Sequence, residues 1–472
     1  MLKVYNTLTK SLEEFKSINP NKVTFYHCGP TVYWVQHIGN MRGMTLADLI
    51  RRSLNYLEYD VTFVRNYTDV GHLTGDNIGD ADSGEDRMEK ASKRENLDPQ
   101  VIAKKYIDSF EAHTSALNIL EPDHKPVASS YIEQMQELIS ELIKKGFAYE
   151  TNKAVYFEVS KFPNYTDLSG QILEKNKSGS GKGDVNDPDK RSPHDFALWF
   201  FKTGAHKTAL QYWPSPFHSS EVENGEGIPG WHIECSAMAG ELLGKTIDFH
   251  MGGVEHISIH HTNEIAQSES ANEVKFVNYW LHNEHLLIDG KKMSKSEGTA
   301  YILDDIMEKG FEPIVLRYFF LNAHYRSKQN FTWDALEGAN QSYKRLKKQV
   351  NQLQDVENKG EIAELYKQRF VRALENDFNI PEALALLWEL VKSETKDEDK
   401  LATVKDFDQV LGLNLLGILK VEIDPLAQEL IEKRQLARKL GNWTESDELR
   451  DRLKEEFAVV IEDTPEGQRV VN

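Results

Sequence analysis

Val23-Thr24-Phe25-Tyr26-His27-Cys28, closed by Gly29-Pro30, opens the stretch whose reading decides the fold. Its β-branched and aromatic residues, ended by a Gly-Pro break, predict a strand. Helical periodicity begins near Met41, where Met44, Leu46, Leu49, Ile50, Leu54 and Leu57 supply one apolar face. Asp60 to Asn66 (DVTFVRN) reads as the next strand. Strand, helix, strand implies an α/β fold with a parallel, Rossmann-type sheet, and ligands then gather at the carboxyl ends of the strands. Cys28 lies at such an end, and His37 lies just before the helix.

Outward from this unit the chain changes character. Residues 75–86 (GDNIGDADSGED) form an acidic loop whose Asp80-x-Asp82-x-Gly84 spacing lacks the other ligands of a calcium loop, so a solvated loop is expected. Residues 97–147 read as mostly helical, and Ala154–Val159 (AVYFEV) alternates as a strand. The polar run 174–193 reads as a loop or insertion edge. From Pro313 onward the pattern is helical. Asn376 to Pro381 marks a helix start, continued by Ala383, Leu384, Leu386, Leu387, Leu390 and Val391, and 393–400 (SETKDEDK) is a charged connector. The expected organisation is a catalytic α/β domain over 1–312 with an insertion at about 115–228, a helical stem and bundle over 313–405, and a small subdomain over 406–472.

A chain of 472 residues is long enough for roughly three domains. No apolar run approaches the ~20 residues of a membrane span, and the N-terminus lacks the apolar block of a secretory signal. Two distant cysteines make no disulfide framework and fit a reducing cytosol, so a cytoplasmic protein is expected. A net charge of −19, from 56 basic and 75 acidic side chains, argues against indiscriminate nucleic-acid binding while allowing one basic face. Lys344-Arg345 with Lys347-Lys348, and Lys433-Arg434 with Arg438-Lys439, are the candidate patches, and each reads first as a solvated helix face.

Two short strings carry the chemistry. His37-Ile38-Gly39-Asn40 precedes a helix N-terminus, where backbone N–H groups favour anions. His37 and Asn40 can donate to phosphate oxygens, and Gly39 permits close approach. Lys292-Met293-Ser294-Lys295-Ser296 follows a strand candidate, Leu286 to Asp289, and its two lysines can neutralise charge on a departing pyrophosphate. Cys28 and Cys235 lie 207 residues apart, while His260 and Glu264 share a helix face. These four make a reasonable zinc set; from spacing alone, buried cysteines packing as small hydrophobes serve equally well.

The two strings together resemble the paired signatures of class I aminoacyl-tRNA synthetases, and nearly the whole chain resembles the cysteinyl-tRNA synthetase family. The matching stretches include Cys28-Gly29-Pro30-Thr31-Val32-Tyr33, Asn66-Tyr67-Thr68-Asp69-Val70 and Asp195-Phe196-Ala197-Leu198-Trp199. They continue through Gly230-Trp231-His232-Ile233-Glu234-Cys235-Ser236-Ala237-Met238, His260 to Gln267 (HHTNEIAQ), Tyr279 to Asn283 (YWLHN), Asp377 to Ala383 (DFNIPEA) and Asp463-Thr464-Pro465.

The resemblance implies a ligase that activates L-cysteine with ATP and Mg2+ and passes it to tRNA(Cys). It implies one Zn2+ on Cys28, Cys235, His260 and Glu264, holding the substrate thiolate. ATP contacts fall at His37, Gly39, Asn40 and Lys295, with His37, Asn40, Lys292 and Lys295 catalytic. Thr68, Trp231 and His232 fall to the amino-acid pocket, and the helical C-terminal region to the tRNA and its anticodon end, with Trp443 and Arg450 as candidate contacts. A monomer without membrane attachment is expected. Asn40, Gly71-His72, Met251-Gly252-Gly253, Thr262 and residues 214–227 depart from the family pattern. The alternatives are an ATP-dependent cysteine ligase acting on an amino-sugar and a non-catalytic paralogue that binds tRNA or cysteine.

Overall fold

The computed structural model of the chain describes residues 1–71, 73, 86–171, 187–293, 298–353, 360–416, 425–457, 459, 461–464 and 467–470. A hairpin of β1 (Lys3–Asn6) and β2 (Ser11–Glu14) precedes the opening strand, helix and strand. These are β3 (Lys22–His27), α1 (Ile38–Tyr56) and β4 (Asp60–Arg65). Helix α1 begins before its apolar period because His37 caps it, Nδ1 accepting from the Asn40 N–H at 3.1 Å.

Helices α2 (Arg87–Glu95), α3 (Pro99–Ala116) and α4 (Ile132–Lys144) follow. An antiparallel sheet comes next, formed in order by β5 (Ala148–Glu150), β6 (Ala154–Phe157), β7 (Phe196–Phe201) and β8 (Gly227–Pro229). The alternating run from Ala154 thus ends at Phe157, and a 3-10 turn takes over at Val159–Lys161. The chain then returns through α5 (Trp231–Leu243), β9 (Ile247–Gly253), α6 (His260–Asn272) and β10 (Val277–Asn283).

The main sheet runs β10-β9-β3-β4, with every pair parallel. Its chain moves outward from β3 to β4 and then crosses to the other side of β3 for β9. Strand order therefore reverses beside β3, which is where such sheets open a crevice at their carboxyl ends.

A small sheet of β11 (Leu286–Ile288), β12 (Lys291–Lys292) and β13 (Gln329–Phe331) follows, interleaved with α7 (Leu303–Glu308) and α8 (Pro313–Leu321). Helices α9 (Trp333–Gln352), α10 (Glu364–Glu375), α11 (Ile380–Lys392) and α12 (Asp397–Leu411) complete a compact unit of Met1–Leu415. The second unit, Leu416–Asn472, holds α13 (Pro425–Lys439), α14 (Trp443–Phe457) and the hairpin β14 (Ile461–Thr464), β15 (Gly467–Val470).

Helix α1 is interior: 14 of its 19 residues are buried, charged ones included. Arg42 donates to the carbonyls of Glu284, His324 and Ser327 and to Gln329 Oε1. Arg317 of α8 reaches Asp48 Oδ2 at 2.7 Å and also donates to the carbonyls of Leu117, Asn118 and Leu411. Both partners are buried, so removing one would strand the other charge at a cost of about 3–5 kcal/mol. This ties the helical tail of the first unit to the helix that begins at His37.

Two expectations are corrected here. Within the charged run 393–400, Asp397, Glu398 and Asp399 form the first turn of α12, where carboxylates complement the helix dipole. The basic clusters are not uniformly solvated either. Lys347 and Arg434 are buried, because the helical period turns one residue of each cluster inward.

Candidate active site

A cleft of about 450 Å³ opens at the carboxyl ends of the parallel strands. Its floor is lined by Cys28, Thr68, Trp231, Cys235 and His260, and its rim by His37, Gly39, Asn40, Lys292 and Met293. Two loops meet between them. Gly29 N donates to Asn66 Oδ1 at 2.8 Å, and a Cβ on Gly29 would stand 1.6 Å from the Asn66 carbonyl oxygen, so only glycine allows that approach. Val32 N to Thr68 O (3.0 Å) and Thr68 N to Pro30 O (3.1 Å) continue the join.

Four donors converge on the floor. Cys28 follows β3, Cys235 lies on α5, and His260 and Glu264 occupy one face of α6. The ligand atoms of all four lie within 4.8 Å of one another, and all four residues are buried. The thiols are free, with Sγ–Sγ 4.0 Å, close to the edge of roughly 3.8 Å that zinc–sulfur bonds of about 2.3 Å give a tetrahedron. Cys28 Sγ lies 3.9 Å from Glu264 Oε1, and His260 Nε2 lies 3.1 Å from the same oxygen. Soft thiolates, an imidazole and a carboxylate at this separation fit a zinc ion.

The charges on the floor are already arranged. The hydrogen bond from Cys28 draws the Cys235 thiol down to about 6 against the effect of burial, while burial pushes the Cys28 thiol up. Burial opposes the ionised forms of His260 and Glu264, yet Glu264 and Cys235 outweigh it at His260, and His250 and His260 outweigh it at Glu264. His260 is raised to about 10 and Glu264 lowered to about 2.

Sequence reading missed the layer of histidines behind these donors. His250 Nε2 lies 2.9 Å from Glu264 Oε2, and His261 Nε2 lies 3.3 Å from Cys28 Sγ. His261 Nδ1 meets His282 Nε2 at 2.8 Å, and His282 Nδ1 meets Thr7 Oγ1 at 2.9 Å. Cys28, His250, His261 and Glu264 thus form a second set of donors within 4.8 Å of one another, sharing two members with the first. The adjacent pair His260-His261 was the one available signal; nothing in the linear spacing joins His250 or His282 to it.

His232, expected at the amino-acid pocket, does not line the cleft. It is buried behind His260, with Nδ1 to Nδ1 at 3.0 Å. Trp231 does line the cleft and stacks on the His260 ring, centroids 4.1 Å apart. Thr68 lines it too, its hydroxyl donating to Glu234 Oε2 at 2.9 Å; burial raises the carboxyl of Glu234 well above its ordinary range. Met251 is fully buried within β9, so the departure it represents stays out of the cleft, which Gly252 and Gly253 line instead.

At the rim, the two strings touch. A Cβ on Gly39 would fall 2.1 Å from Met293 Cε, which places the methionine of the second string directly over the first. Because His37 Nδ1 accepts from the backbone, the neutral ring carries its proton on Nε2. Lys292 is exposed at the end of β12 and lines the cleft. Lys295, the acidic residues 75–85 and the part of the polar run over 174–186 lie outside the described residues.

Comparisons with known proteins give the arrangement a family. A family model described as tRNA synthetases class I (C) catalytic domain matches residues 14–341, and a DALR domain matches 369–420. A cysteine–tRNA ligase of Treponema denticola is 40% identical over 98% of this chain and 98% of its own. One of Thermus thermophilus is 39% identical over 99% of this chain and 98% of its own. The fold is also that of a Mycobacterium tuberculosis methionyl-tRNA synthetase, with TM-score 0.54, 16% identity, and coverage of 83% of this chain and 90% of that one. A LeuRS of Agrobacterium radiobacter, solved with tRNA, gives TM-score 0.60 at 10% identity over 85% of this chain and 84% of its own. The chain belongs to the class I tRNA synthetases, in the family of the cysteine–tRNA ligases.

Proposed function

We propose that this chain activates L-cysteine with ATP, as the adenylate, and transfers it to the 3′ end of tRNA(Cys). The observation that carries the reading is a set of two thiols, an imidazole and a carboxylate within 4.8 Å, beneath a rim lined by His37, Gly39 and Asn40 of the first string and Lys292 and Met293 of the second. Cys28, Cys235, His260 and Glu264 would hold the zinc ion. When bound, zinc supplies a Lewis acid that favours a deprotonated thiol over a hydroxyl. Selection by sulfur suits a small substrate, because pocket size separates similar small side chains poorly.

Thr68 and Trp231 wall the amino-acid pocket, with Glu234 fixing the Thr68 hydroxyl and the His260 ring backing Trp231. His232 supports the site by bracing His260. At the rim, His37 and Asn40 donate to the phosphates of ATP–Mg2+, and Gly39 lets them approach. The cysteine carboxylate attacks the α-phosphorus and pyrophosphate leaves. Lys292 and Lys295 offset the charge that builds on that leaving group. A ribose hydroxyl of the tRNA 3′ end then attacks the anhydride carbonyl, and AMP departs. Positioning and charge stabilisation suffice, so no protein nucleophile is needed.

The helical regions 313–405 and 406–472 would hold the tRNA. Trp443, 60% exposed at the start of α14, and Arg450 suit base and phosphate contacts. The DALR match and the near-full-length ligase relatives favour tRNA over an amino-sugar acceptor. Two free cysteines suit a reducing cytoplasm, and among the described residues no helix is long and apolar enough to cross a membrane.

The test is ATP–pyrophosphate exchange with a panel of amino acids, with zinc and after chelation, followed by tRNA charging. Exchange confined to cysteine and lost with the metal is expected. Exchange driven by serine or methionine instead would refute the assignment.

A further inference from the structure

The loop between β3 and α1 carries an aromatic side chain that the activation chemistry leaves unused. Trp34 is 38% exposed, and its ring lines the mouth of the cleft. The loop beneath it is firmly built. Gln36 Nε2 donates to the carbonyls of Thr31 and Trp34, both at 3.1 Å, and the Pro30–Val32 segment is bonded to Thr68.

Helix α2 fixes the ring from outside. Arg94 Cζ lies 4.1 Å from the Trp34 ring centroid, and the same guanidinium donates to the Tyr33 carbonyl at 3.2 Å and the Tyr106 hydroxyl at 3.3 Å. Arg87 donates to the Tyr33 hydroxyl at 2.7 Å. A large aromatic surface is thus held rigidly in water at the edge of a functional cleft. Its neighbourhood carries a basic excess: the nine residues of α2 hold Arg87, Lys90, Lys93 and Arg94 against Glu89 and Glu95, which pair with Lys93 at 3.7 Å and with Arg94 at 2.6 Å, in a chain whose net charge is −19.

A rigid ring with one cationic neighbour, beside exposed lysines, is the arrangement that receives unpaired bases of a polyanionic strand. Under the ligase reading, on which this inference rests, the RNA acceptor must bring its terminal ribose into the cleft, so the unpaired nucleotides before it cross the rim. We propose that Trp34, braced by Arg94, is the stacking platform for one unpaired base at the 3′ end of the RNA substrate. Lys90 and Lys93 draw in the phosphates beside it.

The experiment uses the full chain and tRNA(Cys) transcripts, some with a single abasic nucleotide at one of the last three positions. Cysteine-dependent ATP–pyrophosphate exchange reports activation and folding. Single-turnover transfer from preformed adenylate reports RNA placement. Trp34→Ala should leave exchange within about twofold and slow transfer about five- to hundredfold, the range that loss of one base–aromatic stack gives. Trp34→Phe should restore most of the transfer rate. One abasic position should cost the parent as much as Trp34→Ala does, and the two changes combined should cost no more than either alone.

Transfer unchanged in Trp34→Ala would overturn the platform, as would full additivity at every abasic position. Exchange and transfer falling by one common factor would overturn it too, since the ring would then serve the nucleotide or the fold. No cysteine-dependent exchange in the parent protein is a different result: it sinks the ligase reading, and the platform with it.

Discussion

The floor and the rim of the cleft are two solutions to handling charge, brought together from different elements at the carboxyl ends of the parallel strands. On the floor, Cys28, Cys235, His260 and Glu264 are withdrawn from water and held by one another and by a second layer of histidines. At the rim, His37 and Asn40 are half-buried, Lys292 is exposed, and the holding forces are backbone ones: a helix cap and a short hairpin. On the proposed reading, the floor must tell sulfur from oxygen, which calls for donors desolvated and fixed in advance. The rim, on the same reading, grips and releases phosphates, which calls for charges that water can still reach. The difference implies that damage to the floor abolishes recognition, while damage to the rim slows chemistry and leaves recognition in place.

Cys235→Ala is the most severe way to test that division. Metal content, measured on the purified protein, should be lost, and cysteine-dependent exchange should fall by more than the roughly 10–100-fold typical of removing an outer partner. Full metal and full exchange in this variant would take the thiolate out of the site.

Lys292→Ala should keep its metal while lowering the exchange rate by about 10²–10³, the usual consequence of removing one preorganised stabilising group. A rise in the cysteine KM without a fall in kcat would show that the lysine binds and does not stabilise the transition state.

His261→Ala should weaken metal binding by roughly 10–100-fold in a competitive chelator titration, if His261 stands behind the metal and not on it. Total loss in His261→Ala, together with retention in Cys235→Ala, would assign the metal to the alternative set of Cys28, His250, His261 and Glu264.

The mildest effect concerns the helix that flanks the rim. Asp86 caps α2, accepting from Met88 N and Glu89 N, and burial raises its carboxyl to about 7. A raised carboxyl contributes stability that is full below its ordinary value near 3.8 and is lost as pH rises through about 7. Amide exchange in α2 should therefore be slower, relative to the intrinsic rate, at pH 5 than at pH 8, and Asp86→Asn should flatten the difference. A steeper dependence in Asp86→Asn would show that another group controls the helix.

Much of the first unit was legible in the sequence because its signals are local. β-Branched and aromatic residues with a Gly-Pro break announced β3, the apolar period announced α1, and the stretch from Asn376 to Pro381 announced the start of α11. The charged run 393–400 misled because charge by itself does not separate a connector from a helix's first turn. Lys347 and Arg434 misled because a cluster read as a string hides which member the helix turns inward. The four floor donors could be named from family strings, but their histidine backing could not. His250, His261 and His282 come from three elements that only the parallel sheet and α6 bring together.

The cap on α1 has a consequence for how this site meets acid. One nitrogen of His37 accepts from the Asn40 backbone, so on the proposed reading the neutral ring keeps the hydrogen on its other nitrogen for a phosphate. A second proton would have to land on the accepting nitrogen and would cost the side-chain cap, leaving the backbone bonds from the Asn40 and Met41 N–H groups to the His37 carbonyl, at 2.9 and 3.1 Å, to hold the first turn. The nitrogen that caps the helix and the N–H that would meet the nucleotide thus sit on one ring, whose orientation the start of the helix fixes.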